Sequence, residues 1–268
     1  MPEGHTLHRL AGELNHSFAG HRVRVSSPQG RFAASAAELD NSTMVAASAH
    51  GKQLFCDFDD DRVLHVHLGL IGALDVGPPV PVRGEVRVRL ATETAVADLR
   101  GPQLCAVKTP EEVAAVIATL GPDPLRDDAD PELAWQRIRR SGKPIAALLM
   151  DQAILSGVGN VYRAEVLFRN RIDPHRPGKL LTRRSWRVIW DDLVELMPLG
   201  VRDGRIDTVR PEHTPEAMGR PPRVDDHGGE VYVYRRAGQA CFVCGSRVRT
   251  EVLSGRNLFW CGRCQRRG

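Results

Sequence analysis

Four of the six cysteines fall near the C-terminus as two pairs, CFVC (241–244) and CGRC (261–264), with sixteen residues between them. Each CxxC can grip one metal ion from two sides of a tight turn. Four thiolates at this spacing close a tetrahedral shell around Zn²⁺. A closed shell leaves no position for water, so Cys241, Cys244, Cys261 and Cys264 are expected to hold one structural zinc, not a catalytic one. Such a site replaces the core that about 30 residues cannot build alone. The runs RVRTEVL (247–253) and RNLFWC (256–261) read as the strands of the finger. Cys56 and Cys105 stand apart and read as small buried apolar residues.

At the other end the chain opens MPEG. Removal of Met1 frees the secondary amine of Pro2. A terminal amine has a reference pKa of about 8 against about 10.4 for lysine, so far more of it is neutral near pH 7. A helix start disfavours its protonated form further. A secondary amine attacking a sugar C1′ yields an iminium, an electron sink for later eliminations. Glu3, next in sequence, is placed to move protons. The same two residues also make an ordinary helix start, with proline in the first turn and an acid near the positive end. MPEG alone does not choose between these readings. Asn160, after SGVG, poses a similar choice. It opens a helix whose free N–H groups and flanking glycines suit a phosphate, and it is equally the residue of a plain N-cap.

The elements that must position these groups follow from periodicity. Leu7, Leu10, Ala11 and Leu14 recur at helical spacing, giving a helix over about 6–17 that ends at Gly20. The period then becomes two. RVRVS (22–26), QLFCDF (53–58), RVLHVHL (62–68), EVRVRL (85–90) and AVADL (95–99) read as short strands separated by turns such as SPQG and DFDDDR. With no crossover helices interleaved, they suggest an antiparallel sandwich or barrel and exclude a doubly wound parallel sheet. GPDPL (121–125) is a proline-rich joint. EEVAAVIATL leads into it, and PELAWQRIRRS, KPIAALLMDQAI, NVYRAEVLFRN and RRSWRVIWDDLVELM follow as helices. Residues 203–230 are rich in proline and glycine and read as a long loop. No internal repeat is visible.

Composition bounds the rest. The chain has 268 residues, 42% of them hydrophobic, with a net charge of +4. That is ordinary for a globular protein of one to three domains, and too mildly basic to prove a nucleic-acid partner. No apolar run approaches the ~20 residues of a membrane span, and the first residues lack the apolar core of a secretory signal. A bacterial cytoplasm holding DNA is the expected compartment. The cations are nearly all arginine, a bias that GC-rich coding explains, and lysine occurs only at Lys52, Lys108, Lys143 and Lys179.

The blocks MPEGHTLHRL, AHGKQLF (49–55), HLGLIG (67–72), LGPDPL (120–125), LLMDQAILSGVGNVYRAEVLF (148–168), VYRRAGQACFVCG (233–245) and GRNLFWCGRCQ (255–265) resemble, in order and over nearly the whole chain, the formamidopyrimidine-DNA glycosylase / endonuclease VIII family. The pattern is most similar to its actinobacterial endonuclease VIII branch. The resemblance implies an α+β multidomain fold. An N-terminal β-sandwich with its N-terminal helix would span 1–120, a helical helix–two-turn–helix domain 121–225, and a C-terminal zinc-ribbon finger 226–268. It also implies a bifunctional DNA glycosylase/AP lyase that excises oxidised bases and cuts by β,δ-elimination, with no redox or nucleotide cofactor. The partner would be damaged double-stranded DNA, with single-stranded or bubble DNA as an alternative form, met by a monomer.

The roles carried over are these. Pro2 is the nucleophile, and Glu3 the general acid/base. Lys52, in a glycine-preceded turn, contacts a phosphate at the lesion, where a solvated surface lysine is the alternative. Asn160 and Arg256 hold phosphates, and Arg256 could otherwise be an ordinary hairpin arginine. Leu70 fills the space left by an everted nucleotide, unless it is a buried strand or turn leucine. His65 and His67 alternate on a strand and read as structural. The chain departs from the family in places. PEGPE is PEGHT here, so His5 and Thr6 replace the second carboxylate of that motif, which bears on lesion choice. The wedge block Gly69-Leu70-Ile71 is less polar than in some relatives, and Arg235 stands where glycine or histidine is commoner. The 203–230 segment lacks the capping-loop sequence of the oxidised-purine branch, which favours oxidised pyrimidines. The alternative is a non-catalytic binder of damaged DNA, the outcome if Met1 stays in place. A zinc-ribbon accessory factor would explain the cysteines only.

Overall fold

The computed structural model describes residues 2–224 and 229–266. Met1 lies outside the described residues, as do 225–228, where the expected boundary between helical and finger domains falls. The chain divides into two compact units, Met1–Thr119 and Leu120–Gly268.

The first unit begins with α1 (Gly4–Phe18), whose buried Leu7, Leu10, Ala11, Leu14 and Phe18 form one apolar face. Eight strands follow: β1 (Arg22–Ser26), β2 (Ser42–His50), β3 (Gln53–Phe58), β4 (Arg62–His67), β5 (Ala73–Gly77), β6 (Val86–Ala91), β7 (Val96–Arg100) and β8 (Leu104–Lys108). Their order is β5-β7-β6-β1-β2-β3-β4-β8, with every pair antiparallel. β1 is the hinge of the sandwich. Arg22 and Val23 pair with β2, whereas Arg24, Val25 and Ser26 pair with β6. Where β1 has left, the side chain of Asn15 on α1 takes over. It accepts from Ala47 N at 2.6 Å and donates to Ala47 O at 2.8 Å, so the outward backbone groups of β2 stay satisfied. Two short helices complete the unit, α2 (Ala33–Leu39) and α3 (Pro110–Ala118), the latter opened by a Thr109/Glu112 capping box.

The five strands expected from alternation are present, within one or two residues. Three more were not expected. β2 reads STMVAASAH, and alanine and serine carry little strand signal. β5 and β8 are the outer strands of the order, half-exposed and without clear alternation. His65 is buried, bonded to Gln53 Oε1 at 2.8 Å and stacked on Phe55 at 4.7 Å, in agreement with a structural role. Cys56 is buried and Cys105 half-buried, and desolvation pushes both thiols up to about 12, which disfavours the thiolate form.

The second unit comprises α4 (Pro131–Ile138), α5 (Ile145–Leu148), α6 (Asn160–Arg169), α7 (Arg183–Asp203), α8 (Pro215–Met218) and the hairpin β9 (Arg249–Leu253) and β10 (Arg256–Trp260). The segment expected as one helix from Lys143 onward is helical only over α5. Successive turns follow, with Ala153 N bonded to Asp151 Oδ1 and Leu155 N to Asp151 O. Asp151 competes for the backbone and stops the helix. α7 runs past its expected end, through Pro198, to a left-handed Gly204 cap. The 203–230 segment is not a bare loop in its described part. Glu230 accepts from Arg223 N and from Arg220, and Thr208 N bonds to Glu230 O.

One core runs through this unit, from Ala134 and Trp135 to Leu258, Phe259 and Cys261. At its centre, the buried Glu165 carboxylate on α6 accepts four hydrogen bonds, from Thr208 Oγ1 (2.6 Å) and from the backbone N–H of Tyr232 (2.7 Å), Val233 (2.8 Å) and Tyr234 (2.9 Å). At the end of α6, Arg169 grips Asp192 of α7 and the Thr208 carbonyl.

Glu165→Gln turns one acceptor oxygen into a donor that faces two N–H or O–H donors. It should destabilise the protein by about 3 kcal/mol, read as a lower urea midpoint. Burial pushes the His65 imidazole down to about 4 from 6.5. A histidine that is neutral when folded contributes stability above pH about 6.5 that is lost as pH falls towards 4, at most about 3 kcal/mol. Urea midpoints across that window should fall less steeply for His65→Gln.

Candidate nucleic-acid site and metal centre

In the first unit Glu3 is the N-cap of α1, its carbonyl accepting from Thr6 N at 2.9 Å. Its side chain is wholly buried, unusual for a carboxylate and beyond what a surface helix start requires. Pro2 directly precedes it and is half-buried. His5 follows on the first turn, also buried, and burial pushes its imidazole down to about 4. The first turn therefore carries a neutral ring, 3.4 Å from the Thr6 hydroxyl.

Lys52 occupies the two-residue turn between β2 and β3, closed by the pair His50 and Gln53. α1 packs across both strands. Desolvation and the Lys52 charge both lower the His67 pKa, while a side-chain hydrogen bond to Gln103 opposes them. Lys52, His67 and Gln103 are thus neighbours. After His67 the chain makes a tight loop. Gly69 has φ +71 and a Cβ there would lie 2.8 Å from the Gln103 Cβ; a Cβ on Gly72 would strike the Leu68 carbonyl at 2.3 Å. Glycine is required at both positions, and the loop between them pushes Leu70 and Ile71 outward, 60% and 88% exposed. The alternative of a buried Leu70 is therefore corrected. Two adjacent bare aliphatic side chains thus project from a loop fixed by its glycines. Ile71 is the more exposed, and nothing in the sequence ranked it above Leu70.

In the second unit Asn160 is the first residue of α6. The N-cap is Gly159 and makes no side-chain bond, so Asn160 is not a capping asparagine. Its amide is used elsewhere. Nδ2 donates to the carbonyl of Asn257 in the finger hairpin at 2.9 Å, and Oδ1 accepts from Arg163 Nη2. Arg163, buried one turn further along, also donates to Asn257 O at 3.2 Å and Ala146 O at 3.4 Å. Asn257 neighbours Arg256, which is exposed beside the Ser254-Gly255 turn. Asn160 and Arg256, 96 positions apart in sequence, are thereby locked into one framework. Arg163 was not singled out from sequence; its only signal is its place three residues after Asn160 on the same helix face. The preceding turn is pinned by Gln152, which accepts from Gly157 N and donates to Val158 O, both at 3.0 Å.

Arg235 has φ +52. That left-handed backbone is one that glycine adopts without strain. Next to it, buried Arg236 donates to Tyr232 O and to Ala240 O, and lies 3.4 Å from the Phe242 ring centroid.

The sulfur atoms of Cys241, Cys244, Cys261 and Cys264 all lie within 4.8 Å of one another, and this is the only such cluster among the described residues. The pairs Cys241–Cys264 and Cys244–Cys261 are 3.9 and 3.5 Å apart. Four sulfurs about 2.3 Å from one zinc sit about 3.8 Å from each other, whereas a disulfide needs about 2.05 Å. The donor set fits a closed tetrahedral zinc. Among the described residues, no helix is long and apolar enough to cross a membrane.

Comparison with known proteins bears on these features. Residues 1–105 match the formamidopyrimidine-DNA glycosylase N-terminal domain, 120–210 the formamidopyrimidine-DNA glycosylase H2TH domain, and 238–267 a zinc finger found in FPG and IleRS. The chain is 52% identical to Endonuclease 8 1 of Mycobacterium tuberculosis, over 99% of this chain and 100% of that one. It is 32% identical to a formamidopyrimidine-DNA glycosylase of Pseudoalteromonas atlantica, over 80% of this chain and 79% of that one. In fold it resembles the Lactococcus lactis Fpg solved with DNA containing an abasic site, at a TM-score of 0.81 and 22% identity, covering 99% of this chain and 100% of that one. An N-terminal β-sandwich, a helical H2TH domain and a four-cysteine finger in this order have one source: the chain belongs to the formamidopyrimidine-DNA glycosylase / endonuclease VIII family of base-excision-repair DNA glycosylases.

Proposed function

We propose that this chain is a bifunctional DNA glycosylase and AP lyase that uses Pro2 as its nucleophile. With Met1 removed, the neutral amine attacks C1′ of a damaged nucleotide. The C1′–N bond breaks, Glu3 delivers a proton that assists base departure, and ring opening leaves a Pro2–C1′ iminium. That iminium acidifies the adjacent carbon. Loss of a proton there expels the 3′ phosphate, a second elimination expels the 5′ phosphate, and water then releases the enzyme. The observation that carries this reading is the fully buried Glu3 carboxylate directly after Pro2 at the start of α1.

Lys52, Asn160 and Arg256 hold backbone phosphates around the lesion, and Leu70 fills the gap left by the everted nucleotide. In this scheme residues 1–120 carry the chemistry, while 121–225 and 226–268 grip the backbone. The zinc is structural, held by Cys241, Cys244, Cys261 and Cys264. Damaged duplex DNA is the partner, with single-stranded or bubble DNA as a second form, and the protein acts as a monomer in the bacterial cytoplasm. Oxidised pyrimidines are the preferred lesions. The neutral His5 in place of an acid and the absence of a purine-capping sequence in 203–230 support that preference.

Protein whose N-terminus is verified as proline by mass should nick a duplex carrying an oxidised pyrimidine, leaving phosphate on both sides of the gap. Pro2→Gly should bind the same duplex with little change and lose nicking. Equal nicking by both proteins would contradict the assignment, and binding without nicking by the unmodified protein would leave only a damage binder. Glu3→Gln should slow base release by about 10²–10⁴-fold, measured in single turnover, with binding retained. Across a panel of single-lesion duplexes, oxidised pyrimidines should be released faster than oxidised purines; the reverse order would overturn the preference.

A further inference from the structure

The finger carries more positive charge than its hairpin tip accounts for. Between 235 and 266 there are seven arginines and one acid, Glu251, and that acid is bonded to His175 at 2.6 Å. Arg256 occupies the tip. Four of the others, Arg247, Arg249, Arg263 and Arg266, line a shallow concavity of about 420 Å³ with Ser246 and Gly262. No carboxylate lines it. All four arginines are exposed, and none forms an ion pair among the described residues.

The arrangement is built, not scattered. A Cβ placed on Gly262 would lie 2.8 Å from Arg249 Cζ and 3.0 Å from its Nε and Nη1. The guanidinium therefore lies over the bare backbone of the CGRC turn, where glycine leaves room for its close approach. Arg266 Nε is held by the Arg263 carbonyl at 3.2 Å. Charge neutralisation of the metal centre does not account for the cluster. One zinc and four thiolates sum to −2, and four arginines exceed that by two charges before Arg236 is counted. The patch is also remote from the tip. Arg249 pairs with Trp260 and Arg256 with Leu253, so four residues of strand, about 13 Å, separate them.

We propose that the base of the β9–β10 hairpin is a second phosphate-binding surface, where Arg247, Arg249, Arg263 and Arg266 meet DNA backbone phosphates other than those held by Arg256. The proposal rests on the DNA-binding reading above. Planar forks without acidic partners suit phosphate oxygens. Each engaged cation releases a counterion, so the surface acts on affinity and its salt dependence, not on lesion choice.

The test is the slope of log K against log salt for a long duplex, between about 50 and 200 mM, comparing the unmodified protein with R247Q/R249Q/R263Q/R266Q and the corresponding four-lysine variant. Zinc content is measured on each. The glutamine variant should keep one zinc per chain and show a slope shallower by about 0.9 for each arginine that meets a phosphate, between about 2 and 4 in all. The lysine variant should regain most of it. An unchanged slope with zinc retained would overturn the second surface while leaving DNA binding intact. Zinc loss in the glutamine variant that lysine does not repair would also overturn it, making the arginines counter-charges of the metal centre. No salt-dependent binding by the unmodified protein would sink this surface and the DNA-binding reading together.

Discussion

The second unit depends on one buried carboxylate. Glu165 sits in the middle of α6, wholly buried, and four donors from distant parts of the chain converge on its two oxygens. A charge in that setting is tolerable only if every lone pair is used. The requirement fixes where residues 232–234 run, and hence where the finger starts. The other end of α6 imposes a second constraint, with Asn160 and Arg163 fastening the Asn257 carbonyl. One ten-residue helix thus fixes both the start of the finger and the strand next to its hairpin tip. The hairpin that carries Arg256 is held from the helical side as well as by the four cysteines. A zinc-ribbon of this length has little core of its own, and here it shares one with the helices.

The first unit solves a different problem, that of keeping a carboxylate dry at the chain start. α1 lies across β2 and β3, and Asn15 replaces the strand partner that β2 loses when β1 crosses to β6. That seating fixes the helix whose first turn carries Glu3 and His5, both buried. The chemistry proposed for Pro2 needs such surroundings. A low-dielectric site keeps an amine neutral and strengthens whatever bonds form to the departing base.

Sequence patterns revealed features governed by chemistry or strict periodicity. The four cysteines have the spacing of a zinc site, and their sulfurs converge as one. α1, β1 and β6 have clean apolar periods, and they appear where expected to within a residue or two. What was not legible depended on tertiary partners. β2 is rich in alanine and serine and is a strand because β3 pairs with it along its length. α5 stops early because Asp151 captures nearby backbone. For the candidate site, Asn160 could be placed at a helix start, but its bond to Asn257 spans 97 residues and leaves no trace in local pattern. Leu70 could be named, whereas its exposure, and the greater exposure of Ile71, follow from two glycines whose missing side chains let the loop close. Gln103 falls in none of the family blocks, and Arg163, though inside one, has nothing in the local pattern that points to its bond with Asn257.

The central claim concerns one atom, the Pro2 nitrogen. Its most direct test is to reduce the enzyme on a damaged duplex with borohydride, digest the trapped product, and locate the added mass by peptide sequencing. If Pro2 is the nucleophile, the deoxyribose remnant is found on the N-terminal peptide, at the proline nitrogen. A remnant on a lysine such as Lys52, or no adduct from protein with a free N-terminal proline that still removes the base, would contradict it.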